Sequence, residues 1–311
     1  MEVKNFYIVE TPLQLLNANE AINYFPASKH FLYIRFSGSI RNDEQLKSTA
    51  LKISFPLNVT IQHIYVNGSK KSILDLLKVL YYQFKFARIT SSVKNIFVGD
   101  YKSRFIKRTT PFSNKTILLD DGLSSIHIQD HFSNEKNYDW FSMFDIKPLD
   151  NQTIYPNLFS NLHSKLHLEK TSENHILFIG SKLSEAEIIS LTFNIALIKE
   201  TIQLYPNSII TYIPHREETE EKLMLIEELK NVTVKKLTYP IEMLPIYSQI
   251  NPYKIISFFS TALITLQKIY QVETIAHKFD YSKSQHRKNI DHSYGYCAKY
   301  MRVIQLNSKE N

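Results

Sequence analysis

The chain has 311 residues, a net charge of +7 and a pI of about 9.1. This length accommodates two domains, and an apolar fraction of 43% argues against a disordered chain. The single cysteine, Cys297, excludes an intramolecular disulfide and a cysteine-based zinc site. The basic balance favours an anionic partner, either nucleic acid, acidic lipid or a small molecule. No nucleic-acid-binding motif is recognisable, so we expect no nucleic-acid partner.

The amino terminus leads directly into a strand-like run and lacks the long apolar stretch of a signal peptide. No window of the chain approaches the roughly 18 apolar residues of a membrane helix. We therefore expect a cytoplasmic protein. Its positive charge would also suit peripheral binding to anionic lipid on the inner face of the membrane.

Strands alternate with helices in the first half of the chain, where Thr11 and Pro12 are typical of a helix start. The predicted elements there are strands at 5–9, 30–36, 59–66, 95–98 and 116–119 and helices at 12–24, 43–55 and 72–86. On the third helix, one face carries Leu74, Leu77, Leu80, Tyr81 and Phe84. This alternation predicts a parallel sheet with right-handed crossovers.

The pattern is lost between residues 127 and 172, which we interpret as an irregular linker, and it then restarts. The second half is predicted to contain strands at 175–180, 208–213, 232–237, 254–259 and 273–277 and helices at 184–205, 217–229 and 261–270. The expected architecture is two α/β domains, at 1–155 and 172–281, with a cleft between them. The segment 282–311 is expected to pack back on the first domain or on a neighbouring subunit.

A pair of acids, Asp120 and Asp121, ends the apolar run of the fifth strand and precedes Gly122. The carboxyl ends of parallel strands are where open α/β sheets bind ligands. Two nearby carboxylates resist joint ionisation, so one of them can serve as a proton acceptor. The alternative is a simple turn with two solvated acids.

Three strand ends in the second half also carry unusual residues. Gly180 and Ser181 begin a turn in which Ser184 could cap a helix that has Glu185 in its first turn. The other two ends are Pro214-His215-Arg216 and Phe259-Ser260-Thr261. A histidine and an arginine after a strand can bind or protonate a phosphate, and hydroxyls at a helix start can bind an anion. The alternative in each case is an ordinary helix cap or an exposed loop.

Several motifs are absent from the sequence: Asp-x-Asp, a dinucleotide-binding glycine fingerprint, a P-loop, a nucleophile elbow and a histidine pair at helical spacing. We therefore expect a site without a metal or another cofactor, built from carboxylates, a histidine and a hydroxyl-rich helix end.

The four segments, in this order, resemble bacterial sialyltransferases of glycosyltransferase family 52, which are related to bacterial polysialyltransferases. Those enzymes share an acidic-acidic-Gly motif, a His-Pro motif and a Ser-Ser/Thr motif. Here the motifs fall on Asp120-Asp121-Gly122, His215 and Ser260-Thr261, with Arg216 in place of the usual proline. The turn at residues 11–14 is similar to the family's first strand–helix turn, and the resemblance spans about residues 6–280.

The resemblance implies a GT-B-like fold, in which two Rossmann-like domains face each other across a cleft. It also implies a metal-independent, inverting transfer of N-acetylneuraminic acid from CMP-sialic acid to a galactose-terminated acceptor, most commonly with an α-2,3 linkage. The product would be a bacterial capsule or lipooligosaccharide. Some relatives associate closely, so a homodimer is compatible with the family.

For the reaction, the resemblance implies a carboxylate base, for which Asp121 and Glu185 rank equally and Asp120 ranks third. His215 would protonate or hydrogen-bond the departing phosphate. The residues expected to bind the donor or line the cleft are Thr11, Gln14, Gly180, Ser181, Arg216, Phe259, Ser260 and Thr261. Alternatives from the same residues are a polysialyltransferase, a glycosyltransferase with another nucleotide sugar, a non-catalytic nucleotide-sugar-binding or glycan-binding protein and, from the charge alone, a nucleic-acid-binding protein.

Overall fold

A computed structural model of the chain describes residues 2–67, 72–113, 115–122, 125, 138–165, 172–248 and 250–310. The chain divides into two compact units. The first comprises Met1–Lys165 and Thr238–Pro240, and the second comprises Leu166–Leu237 and Ile241–Asn311. Each unit is built on one sheet, and the strands that pair in it are parallel. The predicted parallel α/β organisation is therefore confirmed.

The elements of the first unit are β1 (Lys4–Val9), α1 (Pro12–Tyr24), β2 (Lys29–Phe36), α2 (Ile40–Lys52), β3 (Val59–Tyr65), α3 (Ile73–Thr90), β4 (Asn95–Val98), α4 (Arg104–Thr109), β5 (Thr116–Leu119), β6 (Asp139–Ser142), β7 (Ile154–Pro156) and α5 (Ser160–His163). The order of its strands is β3-β2-β1-β4-β5-β6-β7. Helix α1 starts as predicted, because the Thr11 side chain accepts a hydrogen bond from the Gln14 N–H and proline follows the cap.

The elements of the second unit are β8 (Ser172–Ile179), α6 (Leu191–Gln203), β9 (Ile209–Ile213), α7 (Glu220–Glu227), β10 (Val232–Val234), a 3₁₀ turn (Ile241–Met243), α8 (Leu244–Tyr247), β11 (Pro252–Ser257), α9 (Thr261–Tyr270), β12 (Glu273–Lys278), α10 (Arg287–Cys297) and β13 (Arg302–Gln305). The order of its strands is β10-β9-β8-β11-β12-β13. Both sheets thus contain the order 3-2-1-4-5 that characterises dinucleotide-binding folds.

The interpretation of residues 127–172 as an irregular linker is wrong for residues 138–165. Strands β6 and β7 lie there and extend the first sheet, with β6 paired to β5. Trp140 and Phe141 of β6 are buried, so the single tryptophan of the chain packs in the core of the first unit. Strands of three or four residues produce too short a pattern to stand out in a sequence. Residues 127–137 and 166–171 lie outside the described residues.

Helix α6 begins seven residues later than the predicted start at Ser184. Ser190 is its cap, and the Ser190 Oγ accepts a hydrogen bond from the Phe193 N–H at 3.3 Å. The residues in between form turns, in which Glu187 has a φ of +54°. Ser184 and Glu185 therefore lie in a turn and not in the first turn of a helix.

The carboxyl-terminal segment was expected to pack on the first domain or on another subunit. Its strand β13 instead pairs with β12 and completes the sheet of the second unit. The hydroxyl of Tyr294, in α10, donates to the His277 carbonyl of β12 at 2.8 Å. The segment 282–310 is thus part of the second unit. Among the described residues, no helix has both the length and the hydropathy needed to cross a bilayer.

Candidate functional site

In each sheet, the first strand of the unit lies in the middle. Strand β1 lies between β2 and β4, and β8 lies between β9 and β11. In sheets with this strand order, the connections on the two sides of the first strand leave toward opposite faces. A crevice then opens at the carboxyl ends of the central strands, and ligands bind there. The residues that follow β1, β4, β8 and β11 are therefore candidate binding residues.

In the second unit, the strand register brings three of the predicted segments to neighbouring strand ends. Ile179, the last residue of β8, pairs with Ile213 of β9 on one side and with Ser257 of β11 on the other. The segments that follow are the Gly180 turn, the His215 loop and the start of α9. The sheet order thus makes neighbours of segments that are up to 80 residues apart in the sequence.

The start of α9 offers hydroxyl groups and the backbone N–H groups of a first helical turn. Ser260 caps the helix, since its Oγ accepts a hydrogen bond from the Ala262 N–H at 3.2 Å. On the neighbouring strand end, the Ser181 Oγ lies 3.4 Å from the Ser257 Oγ. Helix amino termini carry partial positive charge and their first N–H groups have no partner within the helix, which suits a phosphate. These residues form a candidate anion site.

The two other candidates from this segment differ in their surroundings. Thr261 is the first residue of α9 and is half-buried. Phe259 packs against other rings, with its centroid 5.5 Å from that of Tyr294 and 6.4 Å from that of Phe279. Phe259 therefore contributes to the aromatic core beside the site, and its role in donor binding stays a prediction.

His215 is a neutral imidazole at physiological pH. Its pKa is lowered to about 4, mainly by burial, with the opposing effect of the Glu217 carboxylate and a smaller lowering effect of the neighbouring Arg216. The Glu217 N–H donates to His215 Nδ1 at 3.2 Å, so the single ring proton lies on Nε2. His215 can thus offer an N–H donor, while Arg216 itself is exposed.

A buried polar cluster, which the sequence pattern did not predict, lies beneath these loops. Glu218 and Lys222 have fully buried side chains, with 2.6 Å between Oε1 and Nζ. Glu218 also accepts hydrogen bonds from the Tyr212 hydroxyl at 2.7 Å and from the His215 N–H at 2.6 Å. Burial raises the pKa of Glu218, whereas Lys222 and the two hydrogen bonds lower it. The carboxylate therefore fixes the backbone at His215.

Lys222 connects this cluster to the Gly180 turn. Its Nζ donates to the Ser181 carbonyl at 2.9 Å and lies 3.5 Å from the Glu185 Oε2. Together with Glu218, these acceptors match the three N–H donors of an ammonium group. One buried lysine thus links the two loops. The only sequence signal was the four-residue spacing of Glu218 and Lys222, which is also common on exposed helices.

Gly180 fits this cluster because it has no side chain. A Cβ at this position would overlap the Glu218 Oε2 and lie 2.7 Å from the Tyr212 hydroxyl oxygen. The glycine was predicted to allow close approach of a ligand. In the structure, the group that approaches it closely is the buried carboxylate of Glu218.

Glu185, one of the two leading candidates for the base, is engaged in contacts within the second unit. Its Oε1 accepts from the Thr219 N–H at 3.1 Å, and its Oε2 accepts from the Ser184 hydroxyl at 3.1 Å and approaches Lys222. These hydrogen bonds and the contact with Lys222 hold the turn after β8 against the start of α7. They give Glu185 a positioning role, and its role as base stays a prediction.

In the first unit, Asp120 is completely buried. Its two carboxylate oxygens accept hydrogen bonds from the Ser142 hydroxyl and from the Met143 N–H, each at 2.7 Å. The Asn17 side chain donates to its carbonyl at 2.9 Å. Asp120 therefore connects the end of β5 to the end of β6 by hydrogen bonds. The alternative interpretation as a solvated acid is wrong for this residue.

Asp121 lies at the same strand end and is partly exposed. Its backbone N–H donates to the Ser125 hydroxyl at 2.8 Å, and its Oδ1 accepts from the Thr11 hydroxyl at 3.5 Å. Thr11 also caps α1 through the Gln14 N–H. Two predicted residues, 110 positions apart, thus come together at the carboxyl-terminal edge of the first sheet.

Gln14 is fully buried on the first turn of α1. Its Oε1 accepts from the Glu10 N–H at 2.8 Å, and its carboxamide lies so close to Gly99, after β4, that a Cβ there would overlap it. Within the described part of the chain, its Nε2 has no hydrogen-bond partner. An unpaired buried donor costs about 1–3 kcal/mol. This donor, between the ends of β1 and β4, is therefore a candidate contact for a ligand oxygen.

A buried ion pair beside Gln14 was also missed. The Arg35 Nη1, at the end of β2, lies 2.5 Å from the Glu10 Oε1, which also accepts from the Ser103 hydroxyl at 2.9 Å. Burial raises the pKa of Glu10, and Arg35 and Ser103 lower it. The sequence feature that could have indicated this ion pair is a charged residue at the end of each of the strands β1 and β2. Among the described residues, no three His, Cys, Asp or Glu side chains come together as a metal-binding group.

Comparison with known proteins supports the fold. The structure is similar to a putative UDP-N-acetylglucosamine 2-epimerase from Listeria monocytogenes, with a TM-score of 0.54 and 11% identity over 89% of this chain and 79% of that one. An MnaA structure from S. aureus, determined with UDP, has a TM-score of 0.55 with the same identity and coverage. The fold is GT-B-like. The predicted pair of Rossmann-like domains is thus confirmed.

A further UDP-N-acetylglucosamine 2-epimerase structure is similar at a TM-score of 0.52 and 9% identity, over 93% of this chain and 81% of that one. No family model matches the sequence, and no curated protein matches it. At these identities, the likeness describes the fold, and the function has to be argued from the site.

Proposed function

We propose that the protein is a glycosyltransferase that uses a nucleotide sugar, and that its donor is CMP-sialic acid. The observation that carries this proposal is the arrangement of the second unit. There the Gly180 turn, the His215 loop and the capped start of α9 follow neighbouring strands at the switch point of a Rossmann-like sheet. These segments are also the ones that resemble the motifs of family 52 sialyltransferases.

The chemistry of the second unit suits a leaving group with one phosphate. The first turn of α9 supplies backbone N–H donors, and Ser181 and Ser260 supply hydroxyls. The neutral His215 adds an Nε2–H donor, so it stabilises a departing phosphate by hydrogen bonding and keeps its proton. A CMP leaving group carries less charge than a nucleoside diphosphate, and fixed dipoles of this kind suffice for it.

In the proposed reaction, a hydroxyl of a galactoside acceptor attacks the anomeric carbon of the sialic acid. The bond to the phosphate oxygen breaks, its electron pair stays with CMP, and the configuration inverts through an oxocarbenium-like state. A carboxylate takes the proton of the acceptor hydroxyl. We place Asp121 first for this role, because Asp120 is enclosed by two donors and Glu185 is engaged by Thr219 and Lys222.

The test is incubation of the purified protein with CMP-sialic acid and lactose, with mass analysis of the products. A sialylated lactose is expected, together with released CMP. Parallel reactions with UDP-linked sugars distinguish a glycosyltransferase with another donor, and a ladder of products would indicate a polysialyltransferase. Binding of CMP without turnover of any donor, over a range of acceptors, would contradict the proposal and indicate a binding protein.

A further inference from the structure

Helix α3 carries large apolar side chains on the side that faces solvent. Its inward side packs normally: the Phe86 ring lies 5.0 Å from that of Phe6 and 4.7 Å from that of Tyr33, in the core of the first unit. The seven residues of the outward side are between 43% and 79% exposed. They are Ile73, Leu74, Leu76, Leu77, Leu80, Tyr81 and Phe84, and we refer to them as the α3 apolar face.

The α3 apolar face is a continuous ridge. Ile73, Leu77, Leu80 and Phe84 follow one another at intervals of three or four residues and so form one row along the helix. At 1.5 Å per residue, this row is about 16 Å long. Burial in water-soluble proteins favours the opposite pattern, with the apolar stripe inward. A contiguous apolar surface of this kind marks a site of interaction with a protein or a membrane.

Cations border this face, and the acid of the helix lies beside one of them. Lys78 and Lys85 lie along one border, where their Nζ atoms donate to the Tyr65 carbonyl at 3.0 Å and to the Gln62 Oε1 at 2.7 Å. The exposed Arg88 lies one turn beyond Phe84. Asp75 is the one acid among the 18 residues of α3, all of which are described, and its side chain is 18% exposed and lies 4.0 Å from Lys78. The surface is therefore apolar in its centre and basic at its margin.

We propose that the α3 apolar face inserts into the surface of an anionic lipid bilayer. Leucine and phenylalanine side chains on a helix that lies in the interface enter the acyl region, while lysine and arginine at the margin contact acidic headgroups. A second copy of the chain fits this face less well. The same face on a partner would bring further lysines and arginines and no exposed acid to pair with them.

The experiment is co-sedimentation of the full chain with vesicles of phosphatidylcholine alone and of phosphatidylcholine mixed with phosphatidylglycerol. The wild type is expected to bind the mixed vesicles, and binding is expected to weaken as salt is raised. Leu77→Glu combined with Phe84→Glu should lower the partition coefficient at least about tenfold. Leu51→Glu is the matched control, because Leu51 is 88% exposed on a different helix, α2, and this variant should bind like the wild type.

Because all three positions are exposed, circular dichroism should show the same folded state in each variant. Failure of the wild type to bind mixed vesicles would overturn the proposal, and so would full binding by the double variant. Light scattering tests the alternative of a dimer. If the wild type forms a dimer that the double variant does not form, and the wild type does not bind vesicles, the face is assigned to a second copy of the chain. The α3 apolar face shares no residue with the candidate site, so these results are independent of the sialyltransferase assay.

Discussion

The Nζ of Lys222 lies 2.6 Å from the Glu218 Oε1 and 2.9 Å from the carbonyl oxygen of Ser181, and so joins helix α7 to a turn that lies 41 residues earlier in the sequence. The side chains of both Lys222 and Glu218 are inaccessible to solvent. Breaking a buried ion pair by removal of one partner leaves a buried charge without compensation. The pair is therefore a structural requirement for the Gly180 turn and the His215 loop.

We accordingly expect Lys222→Met to lower the free energy of unfolding by about 3–5 kcal/mol, because Glu218 loses its counter-ion. Urea unfolding followed by circular dichroism measures this loss. The double variant Lys222→Met/Glu218→Gln should recover part of the stability. If the single variant is as stable as the wild type, the buried pair has no structural role.

Gly180→Ala should destabilise the protein, since the new methyl group would overlap the Glu218 carboxylate. The expected loss is about 1–3 kcal/mol, typical of overpacking. Gly295→Ala is the matched control, because a Cβ there meets no atom within 4 Å and the residue lies in α10. That change should be neutral or stabilising by up to about 1 kcal/mol. Equal effects at both positions in urea unfolding would contradict the packing argument.

Substitutions of the two acids after β5 should differ in their effects: one should lower stability and the other should lower activity. Asp120→Asn should lower stability by about 1–3 kcal/mol, since one oxygen that accepts a 2.7 Å hydrogen bond becomes a donor. Asp121→Asn should leave the unfolding curve nearly unchanged and lower sialyl transfer by about 10²-fold or more. Retention of full transfer by a folded Asp121→Asn variant would shift the role of base to Glu185.

His215→Ala is expected to reduce turnover by about 10²-fold or more while the fold remains intact. His215→Gln should retain more activity than the alanine variant, because its amide can replace the Nε2–H as a hydrogen-bond donor. Steady-state kinetics with CMP-sialic acid provide the comparison. Equal activities of the two variants would argue that His215 acts in another way than by donating a hydrogen bond.

The buried His277 predicts a loss of stability in acid. Burial lowers its pKa to about 4, so between pH 6.5 and 4 the unfolded chain binds a proton that the folded chain does not. Stability therefore falls as the pH falls through this window, by about 2 kcal/mol between pH 7 and pH 5 for one such group. His277→Gln should flatten the dependence of unfolding free energy on pH. A slope equal to that of the wild type would show that other groups account for the acid sensitivity.

The sequence alone determined the alternation of strands and helices, since period-2 and period-3.6 patterns and helix caps act over a few neighbouring residues. Strands β4 and β5 and helix α9 begin and end at the predicted residues. The same local signals also predicted the positions of the strand ends after which Asp121, His215 and Ser260 lie. The short strands β6 and β7 and the late start of α6 were missed, because three or four residues give little pattern and Ser184 and Ser190 are equally good caps on local grounds.

Only the tertiary structure decided which side chains are buried and what they contact. The order of strands places Ile213 and Ser257 on either side of Ile179, and this pairing depends on contacts across the whole unit. Whether Asp120 is enclosed by Ser142 and Met143, and whether the leucines of α3 face solvent, also depends on residues that are remote in sequence. Side-chain type and spacing specify a helix or a strand, but burial is set by the elements that pack against it, so the same apolar row can form a core or an exposed face.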